Sequence, residues 1–73
     1  FDGDIVVVHE QPTVEEGEKA VAYLPDKDAV TLKRIYHERG KIKLVSANQK
    51  MKPFYEDNVE IQGKVVGVLR REF

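Results

Sequence analysis

Chemistry in this chain of 73 residues has few possible carriers: there is no cysteine, Ser46 is the only serine, and His9 and His37 are the only histidines. Lys33 draws attention by its setting, Val30-Thr31-Leu32-Lys33-Arg34-Ile35. Side chains alternate across an extended strand, so Ala29, Thr31, Lys33 and Ile35 share one face and Val30, Leu32, Arg34 and Tyr36 the other. Lys33 thus falls on a largely apolar face. An ammonium there can snorkel its head into water over its own methylenes, or be desolvated and lose its proton near neutral pH. A neutral lysine is a competent general base for a serine hydroxyl, and Ser-Lys pairs are a known variant of the nucleophile–base unit. On pattern alone the solvated strand lysine is the commoner case, since lysine is rarely buried unless paired.

The other polar candidates suit structural roles better. Asp2 and Asp4 bracket Gly3, but an oxygen-ligand metal site needs about six donors and nothing downstream supplies them, so turn chemistry is expected and no metal or cofactor. His9, closing the first apolar run, reads as a packing or surface residue, and His37 as part of a turn. Glu15, Glu16 and Glu18 read as a solvated acidic patch. Lys33, Arg34, Arg39, Lys41 and Lys43 make a locally basic hairpin. Phe54-Tyr55 reads as a hydrophobic plug under a loop.

The elements that must position Lys33 are strands. Ile5-Val6-Val7-Val8-His9 is rich in β-branched residues. After a loop or single helical turn from Gln11 to Gly17 come Lys19–Leu24, a turn at Pro25-Asp26-Lys27-Asp28, and Ala29–Tyr36, a hairpin by spacing. Glu38-Arg39-Gly40 turns the chain back through Ile42–Val45. Pro53 has no N–H for a ladder and excludes a central strand in the irregular stretch from Ser46 to Asn58. A last strand runs from Val59 to about Arg70, with Gly63 and Gly67 as bulge or bend positions. Five strands and no amphipathic helix make residues 1–73 one all-β domain, best arranged as a twisted, partly closed β-barrel or β-clip that hides its edges. The opening Phe1-Asp2-Gly3-Asp4 feeds a strand at once, and the domain is expected to be N-terminally truncated. The charged fraction is 34% with a net charge of −1, which argues against this piece gripping a polyanion by itself. No apolar run reaches the roughly 20 residues of a membrane helix, so a cytoplasmic location without membrane contact is expected. Val65, Val66, Val68 and Leu69 place apolar groups on both faces of a terminal strand. A symmetric contact with a second copy would cover such a patch.

Four blocks of the chain resemble the self-cleaving Ser-Lys peptidase domain of the LexA family, in order and spacing: Asp2-Gly3-Asp4-Ile5-Val6-Val7-Val8; Ala29-Val30-Thr31-Leu32-Lys33-Arg34; Ala47-Asn48 with Lys52-Pro53; and Ile61-Gln62-Gly63-Lys64-Val65-Val66-Gly67-Val68-Leu69-Arg70. The wider superfamily includes UmuD-type polymerase accessory proteins, phage repressors and, more distantly, signal peptidases. The resemblance implies a LexA-type C-terminal fold and puts Lys33 on the family's catalytic lysine. It further implies a homodimer through the last strand, a RecA-type filament as activator of self-cleavage in the SOS response to DNA damage, and operator DNA bound only through an N-terminal domain that this chain lacks. The family's serine lies upstream of the position held by Asp2, and Ser46 does not match it, so the chain by itself is expected to be inactive. The alternative expectation is a non-catalytic β-domain for dimerisation or protein binding, UmuD-like or phage-regulator-like, in which Lys33 is an ordinary strand lysine.

Overall fold

In a computed structural model, which describes residues 5–69, the chain forms six antiparallel strands. They are β1 (Ile5–Glu10), β2 (Lys19–Leu24), β3 (Ala29–Glu38), β4 (Lys41–Val45), β5 (Phe54–Glu56) and β6 (Glu60–Leu69). They build one sheet in the order β1-β6-β2-β3-β4-β5. The fold is all-β as expected, and the sheet is not closed into a barrel, so its shape is that of the clip. The turn expected at Asp2-Gly3-Asp4 and the end of the last strand at Arg70 lie outside the described residues.

The local sequence explains most of the hairpins. Between β2 and β3, Lys27 N–H donates to the Leu24 carbonyl at 3.1 Å, and Asp28, at φ +48°, accepts the Tyr23 hydroxyl on its carboxylate at 2.8 Å. Aspartate tolerates the left-handed region better than most side chains. Arg39 and Gly40 form a two-residue turn with φ of 53° and 76°. Two positive φ values match the strand twist in such hairpins, which favours glycine.

β3 organises the clip. Its first part, Ala29–Arg34, pairs with β2, whereas its second part, Arg34–Glu38, pairs with β4. Arg34 alone belongs to both ladders, so the strand passes from one arm of the clip to the other there. The core between the arms consists of Ala20, Ala22 and Leu24 from β2 with Ile35 and Leu44 from β3 and β4. Val14, Ile42, Phe54, Val59 and Ile61 pack around them. Ile35 and Leu44 are opposite each other in the ladder and are the largest fully buried side chains, each stabilising by roughly 1.5–3 kcal/mol through burial.

Two expectations are corrected. Phe54-Tyr55 belongs to a sixth strand, β5, at the sheet edge, directly after Pro53; Phe54 packs on the core, but from a ladder position opposite Leu44. His37 lies within β3, opposite Ile42, not in the turn.

The two glycines of β6 mark irregular register. The pairing with β2 shifts between Val21 and Ala22, skipping Gln62 beside Gly63, and the pairing with β1 shifts between Val7 and Val8, skipping Val66 beside Gly67. A Cβ on Gly63 would stand 2.5 Å from Val8 Cγ1 and 2.7 Å from the His9 carbonyl oxygen. Close approach of β1 therefore requires glycine there.

Candidate active site

Lys33 sits on the core face of β3. Its cross-strand partner is the fully buried Ala20, and Ile35, two residues on, is buried on the same side. The lysine side chain is half-buried, and its Nζ has no hydrogen bond or ion pair among the described residues. The alternation read from the sequence is thus what the register shows.

The backbone beside Lys33 is open on one side. Ile35 N–H donates to the Glu18 carbonyl at 3.1 Å and its carbonyl accepts Gly17 N–H at 2.8 Å, so odd-numbered residues of β3 direct their peptide groups toward β2. By alternation the peptide groups of Val30 and Leu32 point the other way. β4 ends opposite Arg34 and does not reach them. No backbone hydrogen bond joins Val30 or Leu32 to the 46–53 segment among the described residues. Among the described residues, a stretch of unpaired edge therefore lies next to Lys33, and Val30 is 67% exposed. Such an edge is a template for another extended segment.

Ser46 follows Val45, the partner of Arg34. One further step of register would set it opposite Lys33, but the ladder stops at Val45 and no hydrogen bond joins the hydroxyl to the amine.

The segment between β1 and β2 is tied down by carboxylates. Glu16 accepts the His37 backbone N–H on both oxygens, at 2.9 and 3.0 Å, and pairs with the His37 imidazole Nδ1. The His37 N–H, its imidazole and residual charge attraction hold the Glu16 carboxyl below its ordinary value of 4.5. Glu18 pairs with Lys64 and also accepts Glu15 N–H at 2.7 Å, which lowers its carboxyl in the same way. The Glu18 carboxylate in turn raises the Lys64 amine above 10.5. Glu16 and Glu18 thus serve as ties from a solvent-facing acidic patch that includes the exposed Glu15. Arg34 adds a 2.8 Å bond to the Gly17 carbonyl. Pro12, Thr13 and Val14 of this segment wall a cavity of about 310 Å³ with Ile35, His37, Ile42, Val59 and Ile61. The basic hairpin is partly neutralised, through Lys41–Asp57 at 3.1 Å and Lys43–Glu38 at 3.5 Å. His9 is exposed and bonds Gln11 at 2.9 Å. No cluster of three potential metal ligands occurs among the described residues.

Sequence reading missed a contact between the arms. Lys27, in the β2–β3 turn, holds its Nζ 3.0 Å from Glu56 Oε1 and 4.7 Å from the centre of the Phe54 ring. The Glu56 side chain is only 10% exposed, and its buried Oε1 takes no well-aligned hydrogen bond, so the ammonium meets it as a charge contact. Nearby, Asn58 Nδ2 donates to Asp26 at 3.3 Å. The signal in the sequence was faint: charges separated by nearly thirty positions.

Register divides the four apolar residues of the last strand. Val65 and Val68 oppose Val8 and Val6 and share a face, whereas Leu69 opposes Ile5 on the other, and Val66 is the extra residue of the irregularity. Val66 and Leu69 are 56% and 58% exposed.

Comparison with known proteins matches residues 1–66 to the peptidase S24-like family. The LexA repressor of Herpetosiphon aurantiacus is 49% identical over 71 residues, covering 94% of this chain and 33% of that protein. The LexA repressor of Roseiflexus sp. matches to the same extent, and that of Exiguobacterium sibiricum is 48% identical over 70 residues, covering 96% of this chain and 34% of its own length. The chain spans about a third of the length of these relatives. With a family model over most of its length and relatives named LexA repressor aligned from end to end of the sheet, the chain belongs to the peptidase S24-like family.

Proposed function

We propose that the chain is the C-terminal, catalytic and dimerisation part of a LexA-like transcriptional repressor of the SOS response, which inactivates itself by cutting its own polypeptide with a Ser-Lys dyad. The observation that carries this reading is Lys33, half-buried on the core face beside the unpaired Val30–Leu32 edge. An extended segment bearing the scissile bond adds to that edge through main-chain hydrogen bonds. The Lys33 amine, in its neutral form, takes the proton of a serine hydroxyl contributed by a part of the polypeptide upstream of this chain. The serine oxygen attacks the scissile carbonyl, and backbone N–H groups near the nucleophile hold the oxyanion. Collapse of the tetrahedral species expels the amine, which leaves with the proton carried by Lys33. Water then hydrolyses the ester, with Lys33 again as base. The chain without the serine does not catalyse this step.

The partner assignments follow from the same reading. A RecA-type filament shifts the population toward the conformation in which the scissile segment is docked. Operator DNA is held by a separate N-terminal domain, a second copy pairs through β6, and the protein works in the cytoplasm. The test is Lys33→Ala in the full-length protein, followed by self-cleavage at neutral and alkaline pH. Cleavage is lost and the melting temperature is preserved; Ser46→Ala cleaves at the wild-type rate. Normal cleavage in Lys33→Ala would leave the non-catalytic dimerisation or binding domain as the reading, a role that the lack of an Nζ partner among the described residues also suits.

A further inference from the structure

Ala20 stands between two lysines. Its ladder partner on β3 is Lys33, and its partner on β6 is Lys64. Cross-strand partners share a face, so both side chains rise from the core face, one strand spacing to either side of the fully buried Ala20. Two residues before Ala20 comes Glu18, whose carbonyl accepts Ile35 N–H at 3.1 Å. By alternation its carboxylate belongs to the same face, diagonal to Lys33 and to Lys64 alike. Diagonal neighbours in a sheet have Cβ atoms roughly 7–8 Å apart, a span that long side chains bridge. One carboxylate is thus within reach of two amines. It takes Lys64: Glu18 Oε2 pairs with Lys64 Nζ, and Oε1 accepts Glu15 N–H at 2.7 Å. Lys33 has no ion-pair partner among the described residues. Other titratable groups described on or beside this face are already engaged. His9, opposite Lys64, bonds Gln11; Glu16 pairs with His37, and Glu56 meets Lys27. Glu15 is exposed and adds its attraction to Lys64.

We propose that Lys64 is a positioning residue for self-cleavage: by holding Glu18, it keeps that carboxylate from pairing with the general base Lys33. This rests on the peptidase reading above and deepens it by adding a residue that acts on the base without touching substrate. A carboxylate beside an ammonium favours the charged form of the amine, and a charged lysine cannot take the proton of a serine hydroxyl. A glutamate diagonal to the base is therefore a hazard, and a second lysine on its other side removes it. The pair is self-reinforcing. Lys64 and the Glu15 N–H hold the Glu18 carboxyl below its ordinary value, and Glu18 holds the Lys64 amine above its own, so both stay charged across the neutral range. At 23% exposure, the Glu18 side chain is screened from water more than Lys64, at 39%.

The experiment uses the full-length protein that carries this chain. Lys64→Met, Lys64→Arg, Glu18→Gln and the double variant Lys64→Met with Glu18→Gln are made, with Lys33→Ala as the chemical control. First-order rates of self-cleavage are measured from neutral to alkaline pH, and melting temperatures alongside. Lys64→Met frees Glu18 for Lys33. It is expected to cleave ~3-fold more slowly at neutral pH, the scale of one partly exposed ion pair, and to regain the wild-type rate at alkaline pH. Its rate profile is thus displaced upward by about half a pH unit. Lys64→Arg keeps the wild-type profile, because it still holds the carboxylate. Glu18→Gln breaks the same ion pair yet cleaves at least as fast as wild type, and the double variant recovers from the loss in Lys64→Met. A tie that matters only for structure predicts the reverse, with Glu18→Gln as slow as Lys64→Met and the double variant no better. That pattern, or an undisplaced profile in folded Lys64→Met, overturns the role of Lys64 while Lys33→Ala stays inactive. Should Lys64→Met fail to fold, slow cleavage in folded Glu18→Gln or in the double variant overturns it equally. Cleavage surviving in Lys33→Ala overturns the peptidase reading, and the role of Lys64 with it.

Discussion

The two halves of the sheet have similar apolar content and treat it differently. In β2, β3 and β4, one face supplies a core of Ala20, Ala22, Leu24, Ile35 and Leu44, and in β2 burial alternates residue by residue. In the β1–β6 ribbon, Ile5, Val7, Val8, Val66, Val68 and Leu69 are all exposed. Register puts Ile5, Val7 and Leu69 on the face of Ala20, and Val8 and Val68 on the opposite face. The first group continues the core surface past the end of the clip, and the second lies behind it. Apolar density in a sequence thus reports what must be covered; covering it here takes more than the described strands.

The largest expected effect sharpens this contrast directly. Leu44→Ala removes a fully buried side chain opposite Ile35 and is expected to destabilise by about 2–5 kcal/mol. Leu69→Ala in the isolated chain is expected to change stability by no more than about 0.5 kcal/mol, because the side chain is already in water. Chemical denaturation of both variants reads the difference. Equal losses would mean that the ribbon is covered in solution and that the contrast belongs to the monomer alone.

The next effect falls on the joint between the halves. Gly63→Ala places a methyl against Val8 and the His9 carbonyl, where the neighbour is backbone and cannot yield cheaply. A loss of about 1–3 kcal/mol is expected, and hydrogen exchange should show β1 amides loosened before those of β3. The same substitution at Gly67 meets only Val7 Cβ at 3.9 Å and should be mild. A large effect at Gly67 instead would move the joint to the far end of the ribbon.

These residues also show how far the sequence could be read. Alternation around Lys33 was legible because a long strand in a sheet with one apolar face keeps period two. Arg39-Gly40 was legible because positive φ leaves a local signature. Gly63 and Gly67 pointed to the irregularities, though not to which face each valine takes beyond them, since one skipped residue reverses the alternation. β5 was not legible: three residues after a proline carry no measurable period, and only pairing with β4 makes them a strand. Nor were the Glu16–His37 tie and the Lys27–Glu56 contact, whose partners meet through the curl of the sheet. The setting of Lys33 is a local-pattern feature; the Lys27–Glu56 contact is a feature of tertiary closure.

The smallest effect concerns the ties that join the β1–β2 segment to both halves, Glu16 to His37 in the clip and Glu18 to Lys64 in the ribbon. Both carboxyls are held below 4.5 in the folded chain, so each stabilises above that pH, and its contribution fades as pH falls through the lowered folded value. Lys64, raised above 10.5, has the opposite sign: its contribution is complete below 10.5 and fades as pH rises through the folded value. The melting temperature should therefore form a plateau through neutral pH, with a shallow acid limb below 4.5 and a shallow alkaline limb above 10.5. Glu18→Gln should flatten both limbs, because it removes one carboxylate and the partner of Lys64. Glu16→Gln should flatten the acid limb only. Since all these groups face solvent, added salt should shrink the limbs in the wild type as well. An alkaline limb that survives Glu18→Gln unchanged would mean that Lys64 is not what ties the segment to the ribbon.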